Sequence, residues 1–157
     1  MILDVVYNHI GPRRNPLPAF THHYSTDRHE CEWGEAINLG GPDAAPMREY
    51  LMQNAAYWIR EFHFDELRLD ATQGIFCART AHVIAEIAQA ARDAAHPRKC
   101  LIVAENEPHV AALLADPAEG GRGTDAVWND DFHIRPWAQP WSATWPIIPI
   151  MAARRRN

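Results

Sequence analysis

Residues 100–104, Cys-Leu-Ile-Val-Ala, make an unbroken apolar run between Lys99 and Glu105. A run this short and uniform reads as a fully buried parallel strand. Everything before it has a complementary period. Residues 78–95 place Thr80, Val83, Ile84, Ile87, Ala88 and Ala91 on one helical face, with Pro97 marking the end. Residues 66–70, Glu-Leu-Arg-Leu-Asp, form another short strand closed by a carboxylate. Upstream, Pro46 suits a first helical turn. Met47, Tyr50, Leu51, Asn54, Ala55, Trp58, Ile59 and Phe62 then recur at spacings of 3 and 4, with Trp58 and Phe62 expected in the core. Residues 2–6 (ILDVV) read as a buried strand. A weaker helix is expected over 108–115, a turn at Gly120, Gly121 and Gly123, and a last strand over 125–128. The order β–long loop–α–β–α–β–α–β predicts a parallel sheet with covering helices. At this level a doubly wound sheet and a slice of a (β/α)8 barrel look alike.

Composition narrows the function. A net charge of −5 removes the electrostatic case for a nucleic-acid partner. No apolar run approaches the ~18–20 residues that span a bilayer, so no membrane partner is expected. The start MILDVVYNH carries no basic segment of a secretory signal. The three cysteines, at 31, 77 and 100, form no CxxC pair, which argues against a disulfide framework or a zinc–thiolate site and for a cytoplasmic setting. The long loop, residues 10–45, is rich in Pro, Gly, His and Asn, and loops of this length are usually functional. It crowds His22, His23, Asp27, His29, Glu30 and Cys31 together, but their spacing matches no familiar ligand pattern. The expectation is a polar, substrate-side loop and no metal.

The strand ends hold the chemistry. Asp70 and Glu105 each close a strand, and in a parallel sheet both stand at the carboxyl edge, where active sites form. Carboxylates there also serve simply as turn caps. Two of them with Arg68 two residues before Asp70 suit glycoside hydrolysis, in which one carboxylate attacks the anomeric carbon and the other protonates the leaving oxygen. A retaining pair needs about 5–5.5 Å between carboxyl groups, and neighbouring strands lie about 4.8 Å apart. Side-chain alternation points Arg68 the same way as Asp70. Asn129 and Asp130 follow the last strand and are candidates for the same edge. Tyr24 and Trp33 would serve either as stacking surfaces for a sugar ring or as loop packing.

Three motifs, in order, carry a resemblance. DVVYNH (residues 4–9), LRLDA (67–71) and VAENE (103–107) resemble the first three signature regions of the α-amylase superfamily. Gly11-Pro12, LPAF (17–20), WGEAIN (33–38), the Glu-Asn-Glu at 105–107 and WNDDFH (128–133) are similar to the malto-oligosyltrehalose trehalohydrolase family within it. The resemblance covers residues 1–133. It implies that Asp70 is the nucleophile, Glu105 the general acid and base, and Arg68 the group that holds Asp70. It also implies that His9 contacts the sugar in the cleaved subsite and that Asp4 lies in the floor of the site. Members cut the α-1,4 bond next to a terminal trehalose and need no organic cofactor, so the implied partner is malto-oligosyltrehalose or a related α-glucan. A branching or debranching relative and a non-catalytic sugar-binding remnant are the alternatives.

The fold implied is a partial TIM (β/α)8 barrel, roughly strands 3 to 6 with their helices, since a complete one takes about 250 residues. The family's fourth region, with its third catalytic Asp, does not follow residue 133. Instead residues 134–157 hold Trp137, Trp141 and Trp145, four prolines, Arg154-Arg155-Arg156 and no acidic residue. Prolines so closely spaced forbid a regular helix or central strand. The expectation is a barrel segment over 1–133 and an irregular tail over 134–157 produced by a frameshift, in a chain inactive by itself.

Overall fold

The computed structural model describes residues 1–11, 16–31, 34–108 and 110–129. Strand β1 spans Ile2–Val5, β2 Ser25–Cys31 and β3 Gly34–Ile37. Helix α1 (Ala45–Glu61) leads to β4 (Glu66–Leu69), and α2 (Val83–Ala95) leads to β5 (Leu101–Glu105). The last strand is β6, Ala126–Trp128. One four-stranded sheet has the order β1-β4-β5-β6, and all three pairings are parallel. The register sets Asp4 beside Arg68 and Arg68 beside Val103. Because α1 and α2 sit between consecutive parallel strands, the sheet is built from βαβ units.

Alternation divides each strand between two faces. Leu67, Leu69, Ile102 and Ala104 point to the helices and are wholly buried. They join Leu51, Ala55 and Ile59 of α1 and Val83, Ile84, Ile87, Ala88 and Ala91 of α2 in one core. Burial of each large aliphatic side chain contributes about 1.5–3 kcal/mol. The opposite, uncovered face carries Ile2, Asp4, Arg68, Leu101, Val103, Glu105 and Trp128; none of its apolar residues joins the core around α1 and α2, although Val103 is itself buried. Ile2 is 45% exposed and Leu101 49%. The expectations of a buried strand over 2–6 and a fully buried one over 100–104 are therefore corrected. An apolar run does not report how many faces of its sheet are packed.

Other elements differ from expectation for local reasons. Helix α2 begins at Val83 instead of residue 78, because His82 is extended and its Nδ1 accepts the Ile84 N–H at 3.3 Å. That N-cap leaves Thr80 outside the helix. In α1 the buried stripe is Met47, Arg48, Leu51, Ala55 and Ile59, while Tyr50 and Phe62 are exposed and Trp58 is half-buried. Trp58 and Phe62 instead form an aromatic cluster with Tyr57 and Phe64 at the helix end. Arg48 is buried because its guanidinium donates to the Leu39 and Ala81 carbonyls, both at 2.7 Å, and pairs with Glu86.

The helix expected over 108–115 is only a 3-10 turn, Ala111–Leu113, followed by another, Pro117–Glu119. The carbonyls that would extend a helix are taken from outside it: Ala112, Leu113 and Ala115 accept the N–H groups of Arg122, Thr124 and Gly123 at 2.8–2.9 Å. The long loop is not featureless: β2 and β3 pair antiparallel, with a register shift between Thr26 and Glu30, and 3-10 turns precede them. The polar sequence STDRHEC gives β2 no apolar alternation to betray it. Trp33, Asp130 and the 134–157 tail lie outside the described residues.

Candidate active site

The site grows from the carboxyl ends of β1, β4 and β5 on the uncovered face. The Asp70 N–H continues the ladder by donating to the Val5 carbonyl at 3.0 Å, which keeps Asp70 in phase with Arg68. From that position Arg68 reaches three carboxylates. Its Nη1 donates to both Asp4 oxygens at 2.8 Å and to Asp70 Oδ1 at 2.7 Å. Its Nη2 lies 2.7 Å from Glu105 Oε1. One rigid guanidinium thus links Asp70 to Glu105 and limits the separation of those two oxygens to about 8 Å.

The Arg68 side chain is only 16% exposed. Burial alone would lower its proton affinity. The Asp4 hydrogen bond, the charges of Glu105 and Asp4, and the Asp70 hydrogen bond outweigh burial and hold its pKa above the ordinary arginine value. The Trp128 ring, opposite Glu105 in the β5–β6 register, lies 5.9 Å from Arg68 Cζ in a cation–π contact.

A polar shell behind these groups fixes them. Glu105 Oε2 accepts the Ala71 N–H at 2.8 Å. Ala71 is left-handed, with φ 38° and ψ 57°, a conformation that costs a non-glycine residue about 1–2 kcal/mol. Such strain gathers where the surroundings over-determine a site. Thr72 Oγ1 donates to the Glu105 carbonyl at 2.6 Å, and Asn106 Nδ2 donates to Thr72 Oγ1 at 3.1 Å. From the β1 side, Asn8 Nδ2 lies 3.2 Å from Asp70 Oδ2, 3.3 Å from the Asp70 carbonyl and 3.4 Å from the Ala71 carbonyl.

The structure therefore brings Asp4, Arg68, Asp70 and Glu105 into direct contact. His9 stands next to them, its Nδ1 2.7 Å from Asn8 Oδ1. Asn129 Nδ2 donates to the Asn106 and Glu107 carbonyls at 3.0 and 2.9 Å, which pins the segment after Glu105. Sequence reasoning quoted Asn8, Ala71 and Asn106 only as members of motifs and gave them no role in the site, and it passed over Thr72. For the two asparagines a signal existed: each is a polar residue close behind an apolar strand. No signal existed for Ala71, since its role belongs to a backbone conformation. Two carboxylates on one cation, with every neighbour hydrogen-bonded, can supply a nucleophile and a proton-transfer group to one substrate bond.

The chain is 38% identical over 135 residues to a malto-oligosyltrehalose trehalohydrolase of Arthrobacter ramosus, covering 85% of this chain and 23% of that protein. It is 37% identical over 135 residues to one of Mycobacterium tuberculosis, with the same coverage. The chain is a relative of the malto-oligosyltrehalose trehalohydrolases. It spans under a quarter of the length of these trehalohydrolases. A 1,4-alpha-glucan branching enzyme of Geobacillus stearothermophilus is 28% identical over 144 residues, covering 82% of this chain and 22% of that protein. Among solved structures, a Salmonella typhimurium protein described as a candidate α-amylase superposes with a TM-score of 0.72 at 33% identity. That match covers 84% of this chain and 22% of the other. An α-amylase of Geobacillus thermoleovorans superposes at 0.59 with 18% identity, covering 80% and 29% respectively, and shares the fold. No protein-family model matches the chain. Among the described residues no helix is long and apolar enough to cross a membrane.

Proposed function

We propose that this chain is part of a retaining glycoside hydrolase that cleaves the α-1,4 bond next to the terminal trehalose of malto-oligosyltrehalose and releases trehalose. The observation that carries the reading is the Arg68 fork, which puts Asp70 and Glu105 on one cation. Asp70 attacks the anomeric carbon while Glu105 protonates the departing glycosidic oxygen. Glu105 then takes a proton from water, which hydrolyses the glycosyl-enzyme with net retention. Arg68 aims Asp70, and Asp4 anchors the same Nη1 of Arg68 that holds Asp70. His9, Asn129 and Asp130 contact sugar hydroxyls around the cleaved bond.

In this reading the four parallel strands are an arc of a (β/α)8 barrel, strands 3 to 6, within a catalytic segment over 1–133. The 134–157 segment lies outside it. A cytoplasmic setting goes with the reading. The likeness to a branching enzyme supports a second reading, in which the covalent intermediate passes to a sugar hydroxyl instead of water.

The test replaces the matching segment of the Arthrobacter ramosus enzyme with residues 1–133 of this chain. The chimera is expected to release trehalose from malto-oligosyltrehalose. Asp70→Asn in it should cut the rate by about 10⁴-fold and Glu105→Gln by about 10²–10⁴-fold, with circular dichroism unchanged. Trehalose release that survives Asp70→Asn refutes the roles. New α-1,6 linkages in place of trehalose select the branching reading.

A further inference from the structure

We propose that Asn8 is a positioning residue that sets Asp70 and Glu105 together, acting through the Ala71 peptide. The inference rests on the glycosidase reading for its kinetic consequences but not for its geometry. Asn8 is 5% exposed, so its amide is spent inside the protein. One nitrogen faces the Asp70 carboxylate and the carbonyls of both Asp70 and Ala71. The amide between those two carbonyls is the Ala71 N–H, and it donates to Glu105 Oε2 at 2.8 Å. A single side chain from the β1 end therefore touches the Asp70 carboxylate directly and the Glu105 carboxylate through one peptide unit.

The conformation of that peptide explains why a holder is needed. Ala71 is left-handed, which an alanine leaves readily unless its neighbours prevent it. Were the peptide to flip to an ordinary conformation, its N–H would leave Glu105. Asn8 and Glu105 grip it from opposite sides. The packing around Asn8 is close as well: a Cβ added at Gly74 would lie 3.3 Å from Asn8 Cβ. Asp70 Oδ2 and the two carbonyls can only accept, so the nitrogen end of the amide points at Asp70, and the Asn8 oxygen faces His9 Nδ1 at 2.7 Å.

Asn8→Asp keeps the shape and replaces the donor facing Asp70 with a carboxylate oxygen. Asn8→Ala removes the side chain. In the active polypeptide carrying this segment, both are expected to lower kcat by about 10–100-fold with KM within about threefold. Asn8→Asp should also move the acidic limb of the pH profile to higher pH, because a second negative charge beside Asp70 favours its protonated form. A residue that only packs would lower the melting temperature in Asn8→Ala while Asn8→Asp kept kcat and the limb unchanged, and that outcome overturns the proposal. Hydrogen exchange of the Ala71 amide in the 157-residue chain supplies a readout free of turnover. Exchange should quicken at least about tenfold in both variants while Leu67 and Ile102 stay protected. Unchanged Ala71 exchange overturns the positioning role even if the enzyme is active. A wild type that cleaves no α-glucan overturns only the glycosidase reading.

Discussion

The two faces of the four-stranded sheet are made from the same strands yet obey opposite rules. On the helix-covered face, Leu67, Leu69, Ile102 and Ala104 are wholly buried and carry no polar side-chain atom. One residue over, on the uncovered face, Asp4, Arg68 and Glu105 form an ionic cluster beside the exposed Trp128. The covered face holds the strands in place by burial. The other face uses that rigidity to hold charges at hydrogen-bond distance, where a loose scaffold would lose them. Each βα unit thus has its stability on one side and its chemistry on the other.

Substitutions test how sharply the faces divide. Leu67→Ala, at the centre of the covered face, should cost about 3 kcal/mol in urea unfolding, since a fully buried leucine leaves a cavity. A loss under about 1 kcal/mol would mean that the sheet and helices are not packed as described.

The next effect concerns charge. Behind the covered face, His82 is lowered from 6.5 to about 4, chiefly by burial and then by the charges of Arg122 and Arg48. Between those values the unfolded chain binds a proton that the folded chain refuses. Stability should therefore fall by about 2 kcal/mol as pH drops from 6.5 to about 4. His82→Asn keeps a capping group without the titration and should flatten that part of the profile. A slope unaltered by His82→Asn would assign the acid loss to other groups. The smallest effect is expected at Leu101→Thr on the uncovered face, within about 0.5 kcal/mol of wild type. A large loss there would show that something covers this face in solution.

The strand-end residues were legible because their logic is local. Alternation alone puts Arg68 on the side of Asp70, and a carboxylate that closes an apolar run lands at the carboxyl edge. The periodic centre of α1 was legible for the same reason, down to Leu51, Ala55 and Ile59. What failed was decided by contacts distant in the chain. Arg48 is inside because the carbonyls of Leu39 and Ala81 meet it there. Leu101 is outside because it lies at the amino edge of the sheet, in register with Glu66 and the exposed Ile2, whereas Val103 further along the same face is buried. The β2–β3 hairpin escaped notice because its strands bury little and so carry no hydrophobic period.

By itself, the sequence determined the βαβ alternation, the parallel sheet and the residue types waiting at its carboxyl edge, because strand period and helix period are written within a few neighbouring residues. Only the tertiary structure decided that one guanidinium would gather Asp4, Asp70 and Glu105. It also decided that Asn8 would reach the peptide after Asp70 and that this peptide would take a left-handed turn toward Glu105. Those arrangements depend on the parallel registers of β1 with β4, more than sixty residues apart, and of β4 with β5, 35 residues apart, and register is a property of the assembled sheet, not of any one strand.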